Sequence, residues 1–190
     1  MRIAIVLGFA AAALVFQTAA ASAQCVTKPA KIEASLNGKD AYALAKAEAL
    51  KMGADSVTTK FTTLLDNPLD MQGKSTNWDL QFFSASAKKV LMISLEKGAM
   101  TCFSTARESG GQAIAINDQT MLDTKKLLDA AQAAGGSKHD PKTVTISANL
   151  VQNRRDGTLW YLTYETIAPK KEVLQVILDS TGKVSKTFVK

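Results

Sequence analysis

The stretch WYLTYETIAPKKEVLQVILDSTG, from Trp160 to Gly182, recurs in looser form as WDLQFFSASAKKVLMISLEKG, from Trp78 to Gly98. A chain that writes one pattern twice is constrained to a fold in which equivalent side chains take equivalent places. Walking back from the tryptophans, which lie 82 positions apart, Gly53 falls on Gly135, Ala49 on Ala131 and Ala45 on Leu127. Beyond the paired lysines, Lys88-Lys89 and Lys170-Lys171, the second copy needs one extra residue, and another in the turn that follows. Both insertions fall in turns, which absorb length changes that a strand could not take without losing its register.

The repeat has a regular internal order. Tyr42, Ala45, Ala49 and Met52 fall at i, i+3, i+7 and i+10 and predict a helix over 40–52, with Asp40 as its cap and Gly53 as its stop. Its counterpart runs from about Thr120 to Ala134, with Met121, Thr124, Leu128 and Ala131 repeating the spacing. After each helix the period changes to two. Val144, Ile146, Ala148 and Leu150 form one apolar stripe, Trp160, Leu162 and Tyr164 a second, and Leu174, Val176 and Leu178 a third. In the first copy Thr62 and Leu64, then Trp78, Leu80 and Phe82, then Leu91, Ile93 and Leu95 answer them. The closing KVSKTFVK reads as an edge strand whose lysines at 183, 186 and 190 discourage pairing with other chains. The expectation is an α+β fold of two tandem modules, each one helix packed on a three- or four-stranded antiparallel β-meander. Residues 24–108 form the first module and 120–190 the second, joined by a linker over 109–119 that opens on Ser109-Gly110-Gly111.

Ahead of the modules, residues 1–23 combine Arg2, an apolar run from Ile3 to Phe16 and the small-residue site Ala21-Ser22-Ala23, the pattern of a cleaved secretory signal. Periplasmic or secreted localisation follows, without stable membrane insertion. Export places Cys25 and Cys102, the only two cysteines, in an oxidising compartment where a disulfide between them is expected as a structural staple. The net charge of +6 is modest and spread over both halves. A nucleic-acid partner, which asks for a basic face with aromatic residues among it, is therefore not expected.

The closing hairpin VLQVILDSTGKV resembles that of PepSY-type domains, with Asp179, Gly182 and Val184 matching an aspartate, a short turn and a glycine followed by an apolar residue. The first copy departs from it, having the shorter turn Glu96-Lys97-Gly98 and Met100 near the place of Val184. The resemblance implies a binding module rather than a catalyst, with a protein or peptide as partner and restraint of a secreted peptidase as one form of it. The wider helix-on-curved-sheet plan is also similar to cystatin-like folds.

Catalytic, metal and cofactor residues are not picked out. His139 is the only histidine, in the loop GSKHDPK, and its sequence neighbour Asp140 is poorly placed to orient its ring. With two cysteines expected to pair, no set of ligands remains for a metal of the usual kind. The glutamates fall on polar faces or in turns. What stands out is the second side of each sheet, where Phe83, Val90 and Met92, then Tyr161, Val173 and Ile177, point away from the helices. The first expectation is that the modules cover each other there, and the alternative is a groove for a peptide or apolar ligand. With Lys88, Lys89, Lys170 and Lys171 these residues make the candidate partner surface. The rival function is a periplasmic carrier of a small apolar ligand held between helix and sheet.

Overall fold

The computed structural model describes residues 32–63, 66–106, 114, 116, 119–153 and 155–190. The proposed signal and Cys25 lie outside these residues. A two-residue strand, β1 (Leu36–Asn37), leads into helix α1 (Gly38–Met52). Asn37 caps the helix, its side chain accepting from the Asp40 amide at 2.9 Å, so the cap sits three residues earlier than expected. Asp40 instead places its charge in the first turn, where the helix dipole favours it. Ala41, Ala45 and Ala49 are fully buried, and their small side chains let the helix backbone lie close to the strands beneath.

Strands β2 (Val57–Thr63), β3 (Lys74–Ser75), β4 (Asn77–Ser84), β5 (Lys89–Glu96) and β6 (Ala99–Ala106) follow. Then come α2 (Thr124–Ala133), one turn of 3-10 helix (Gly136–Lys138), and β7 (Val144–Asn153), β8 (Gly157–Thr166), β9 (Lys171–Asp179) and β10 (Val184–Val189). Helix α2 starts at 124 rather than 120 because Asp123 is its cap, accepting from the amides of Lys125 and Lys126 at 3.1 and 3.3 Å.

The expected division into two tandem helix-on-sheet modules is overturned. Eight strands form one antiparallel sheet in the order β10-β9-β8-β7-β2-β4-β5-β6, while β1 and β3 make a separate two-stranded ribbon. The joint is β2 against β7, with Phe61 opposite Leu150 and Thr62 opposite Asn149. The physical reason is the edge. A free meander of four strands would leave β2 and β7 with unpaired backbone groups, and joining them satisfies both and merges the two apolar faces. Threonine hydroxyls extend this short seam. Thr62 donates to the Ala148 carbonyl at 3.2 Å, and Thr63 accepts from the Ala148 amide at 3.0 Å. Ile114, inside the expected linker, is buried and forms a bridge with Thr58, so this part of the connection belongs to the core.

One continuous core results. On the helix side a row of paired residues crosses all eight strands, Val184, Leu178, Trp160, Leu150, Phe61, Leu80, Ile93 and Cys102. Phe61 stands between the tryptophans, its ring centroid 5.1 Å from that of Trp78 and 5.4 Å from that of Trp160. Each indole N–H donates to a carbonyl just ahead of a helix. Trp78 reaches Leu36 at 2.9 Å and Trp160 reaches Met121 at 2.7 Å. The two helix starts also meet, the Gly38 amide donating to the Thr124 hydroxyl at 2.9 Å. A Cβ on Gly38 would lie 2.7 Å from Thr124 Cγ2 and 2.9 Å from the Leu122 carbonyl oxygen, which requires glycine there.

The inner face of β2 differs from expectation. Phe61 and Thr63 occupy it, Thr62 faces outward, and Leu64 lies outside the described residues. A β-bulge between Thr58 and Lys60 resets the alternation, so Thr58 and Phe61 both point inward. Among the described residues no helix is long and apolar enough to cross a membrane.

Candidate functional site on the helix-free sheet face

Both helices lie on one side of the sheet, and the other side carries the candidate partner surface. A second row of paired residues crosses it, Lys186, Ile177, Tyr161, Asn149, Thr62, Asp79, Ser94 and Thr101. The row is polar where the halves join and acquires apolar neighbours toward both ends.

Toward β6 those neighbours form a patch. Val57 pairs with Phe83, Phe83 with Val90, and on the next row Met92 stands opposite Phe103. Val57, Met92 and Phe103 are 40%, 39% and 45% exposed, while Val90 beneath them is only 3% exposed. A trough of about 350 Å³ opens beside the patch, bounded by Met92, Phe103, Gln81 and Thr101, with Lys60 and Asp79 at its rim. Over β7, β8 and β9 a second hollow of about 450 Å³ is polar, lined by Ser147, Asn149, Thr163 and Gln175 with the carboxylates of Glu165 and Glu172. The two glutamates face each other across β8 and β9, and Lys190 pairs with Glu172 at 3.2 Å.

The expected surface residues therefore separate. Phe83 and Met92 lie together on the open face, with Val90 as their buried floor. Tyr161 and Ile177 share the same face in the other half, Ile177 being buried. Val173 does not belong there. It sits at the register shift between Tyr164 and Glu165, and packs against the core. The expected mutual covering of the two outer faces is also corrected, since both belong to one sheet and lie side by side. The lysine pairs do not converge either. Lys88 and Lys89 stand at the β4–β5 turn, beside the start of β2, whereas Lys170 and Lys171 stand at the β8–β9 turn, beside the start of β7. Because β2 and β7 are antiparallel, the two turns lie at opposite ends of the sheet. Lys170 pairs with Asp66 at 3.4 Å.

Phe103 and Val57 were not anticipated on this face. The alternation in AMTCFSTA contains the signal for Phe103, because placing Cys102 inward sends Thr101, Phe103 and Thr105 outward. Cys102 stands on the helix side opposite Ile93, and its expected partner Cys25 is outside the described residues.

Other titratable groups serve the frame. Asp55 accepts from the Ser84 hydroxyl at 2.6 Å, from the Ser86 hydroxyl at 2.7 Å and from the Ser86 amide at 2.8 Å. These donors hold its carboxyl well below the usual range and tie the β4–β5 turn to the end of α1. Asp179 accepts from Thr181 and Lys183 within its own turn, closing the loop in which Gly182 takes φ +84°. Partial burial pushes its pKa up, but the Thr181 hydroxyl, the two amides and the charge of Lys183 outweigh it, and the pKa is lowered. The features that resemble a PepSY hairpin thus have a local cause, a side-chain-closed turn with glycine in the left-handed region. His139 lies beside Tyr164, ring centroids 6.1 Å apart, and Asp140 is engaged by the Lys142 amide at 2.9 Å. Among the described residues no group of three or more His, Cys, Asp or Glu is placed to hold a metal.

The geometry defines a class, a single eight-stranded antiparallel sheet with two helices on one face and the opposite face open. No family model matches the chain, and neither a search of curated proteins nor one of solved structures finds a match.

Proposed function

We propose that this is an exported, non-enzymatic binding protein that holds another protein or a peptide against the helix-free face of its sheet. The observation that supports this most is the facing pair Met92 and Phe103, large apolar side chains left about two-fifths exposed beside a trough, with Val57 exposed to the same degree on the same open face. Such a patch on a sheet lowers the free energy of whatever covers it. The resemblance of the closing hairpin to PepSY-type domains suggests a secreted peptidase as the partner class, with inhibition as the consequence of docking. The rival reading, a small apolar ligand between helix and sheet, lacks support from the packing. The space beneath the helices is filled by Phe61, Trp78, Phe82 and Trp160, all fully buried.

The test is a double substitution, Met92→Glu with Phe103→Glu, assayed against a panel of secreted metallo- and serine peptidases. Slowed peptide hydrolysis by the unaltered protein, lost in the variant with an unchanged circular dichroism spectrum, is the expected result. Inhibition of equal strength by the variant would move the site elsewhere. No inhibition by either form, together with no captured protein or peptide, would overturn the binding role.

A further inference from the structure

On the opposite side of the sheet from that face, a groove of about 580 Å³ runs between α1 and the chain leading into α2. Lys39, Tyr42 and Lys46, at i, i+3 and i+7 of α1, line one wall, and Met121, Leu122 and Lys126 line the other. Three lysines therefore line one opening, together with an aromatic ring and two apolar side chains.

None of the three lysines has a carboxylate partner among the described residues. Among the described residues of the lining the carboxylate is Asp123, which is already engaged by the amides of Lys125 and Lys126 as the cap of α2. Lys46 is half-buried, its ammonium donating to the Ser56 carbonyl and lying 5.8 Å from the centre of the Phe82 ring. Burial lowers its pKa, the sign of a cation short of counter-charge. Lys39 and Lys126 are exposed and free to turn toward a ligand. The volume is within the roughly 300–1,000 Å³ of small-molecule sites, and a few charged groups over apolar walls is the lining such sites have.

We propose that this groove binds a small amphiphile carrying one anionic headgroup and one apolar arm, such as a medium-chain carboxylate. The headgroup lies among Lys39, Lys46 and Lys126, and the arm covers Tyr42, Met121 and Leu122. Charge complementarity selects an anion over a neutral or cationic ligand of the same shape. The apolar walls select an anion with a tail over a bare inorganic one, because they contribute only when covered. The site is separate from the proposed docking face, so either can fail without the other.

The test is calorimetric titration of the purified protein with decanoate and with decanol, which share the tail and differ in the head. One equivalent of decanoate is expected, with decanol about tenfold weaker, since ion pairs with two exposed lysines together contribute about that much. Lys39→Gln with Lys126→Gln, both at exposed positions, is expected to weaken decanoate about tenfold. Lys170→Gln with Lys171→Gln, at a distant turn, is expected to leave it unchanged. Acetate, lacking the tail, is expected not to saturate. Decanol binding as tightly as decanoate, an unchanged affinity in the Lys39/Lys126 variant, or no decanoate heat at all would each overturn the proposal.

Discussion

If the two halves share one core, Phe61 is where that sharing can be measured. Its side chain is fully buried and touches the ring of each tryptophan, one from each half of the sheet. Replacing it with alanine removes a whole aromatic ring from a packed interior, a change that costs about 3–5 kcal/mol. That is at least about a fifth of the roughly 5–15 kcal/mol that holds a typical domain folded. With a urea dependence of about 2 kcal/mol per molar, the unfolding midpoint should fall by roughly 2 M. Tryptophan fluorescence can report the halves separately, Trp78→Phe leaving only the signal of Trp160 and Trp160→Phe only that of Trp78. Phe61→Ala should lower the midpoint by the same amount in both backgrounds, through a single transition. Phe61→Leu, which keeps most of the volume, should give a smaller loss of the same form and keeps the test readable if the alanine variant fails to fold. The reasoning is refuted if the Trp160 signal keeps its midpoint while the Trp78 signal moves, because the second half would then be folding without the seam.

Two further effects follow from buried and clamped groups. The Tyr164 hydroxyl is buried without a partner among the described residues, and burial raises its pKa, so Tyr164→Phe should stabilise the fold by about 1 kcal/mol, read as a rise of roughly 2–4 °C in Tm. A fall in Tm would show that the hydroxyl is bonded in solution. The serine donors depress the pKa of Asp55 in the folded state, so the carboxylate contributes stability above its unfolded pKa of about 4 and loses it as pH falls through the folded value. Urea midpoints at pH 6 and pH 3 should therefore differ more for the unaltered protein than for Asp55→Asn. Equal differences would mean that the clamp is absent in solution.

Much of the inner face was legible in the sequence because alternation is a local property. Trp78, Leu80, Phe82, Leu91, Ile93 and Leu95, with Trp160, Leu162, Tyr164, Leu174, Val176 and Leu178, are all buried as their spacing requires. The inner face of β2 was not, because a bulge at Thr59 inserts a residue without a composition signal, and one inserted residue reverses every assignment beyond it. The joining of the halves was not legible either. Which edge a strand offers to a distant strand depends on the paired backbones, and nothing in VTTKFTT or VTISANL names the other as its neighbour. Lys183, Lys186 and Lys190 did mark β10 as an edge, and it is the outermost strand on its side. For the candidate surface, Phe83 and Met92 could be placed by parity, whereas Val173 could not, since the irregular pairing at Glu165 and Glu172 turns it toward the core.

The way the halves join also decides what remains available for binding. Two separate sheets with apolar outer sides could have stacked face to face, burying Phe83, Met92, Tyr161 and Ile177 against one another. Joining through β2 and β7 places those residues in one surface, where Phe83 and Met92 of one half cannot meet Tyr161 and Ile177 of the other. Each must then be covered by its neighbours or stay in water. Val90 and Ile177 are covered locally, lying 3% and 7% exposed between the strands beside them. Met92 and Phe103 stand opposite each other on the outer two strands of their side and stay 39% and 45% exposed. The seam that completes the core is thus also what leaves the patch open, and any change that separated β2 from β7 should weaken the proposed docking face and the core together.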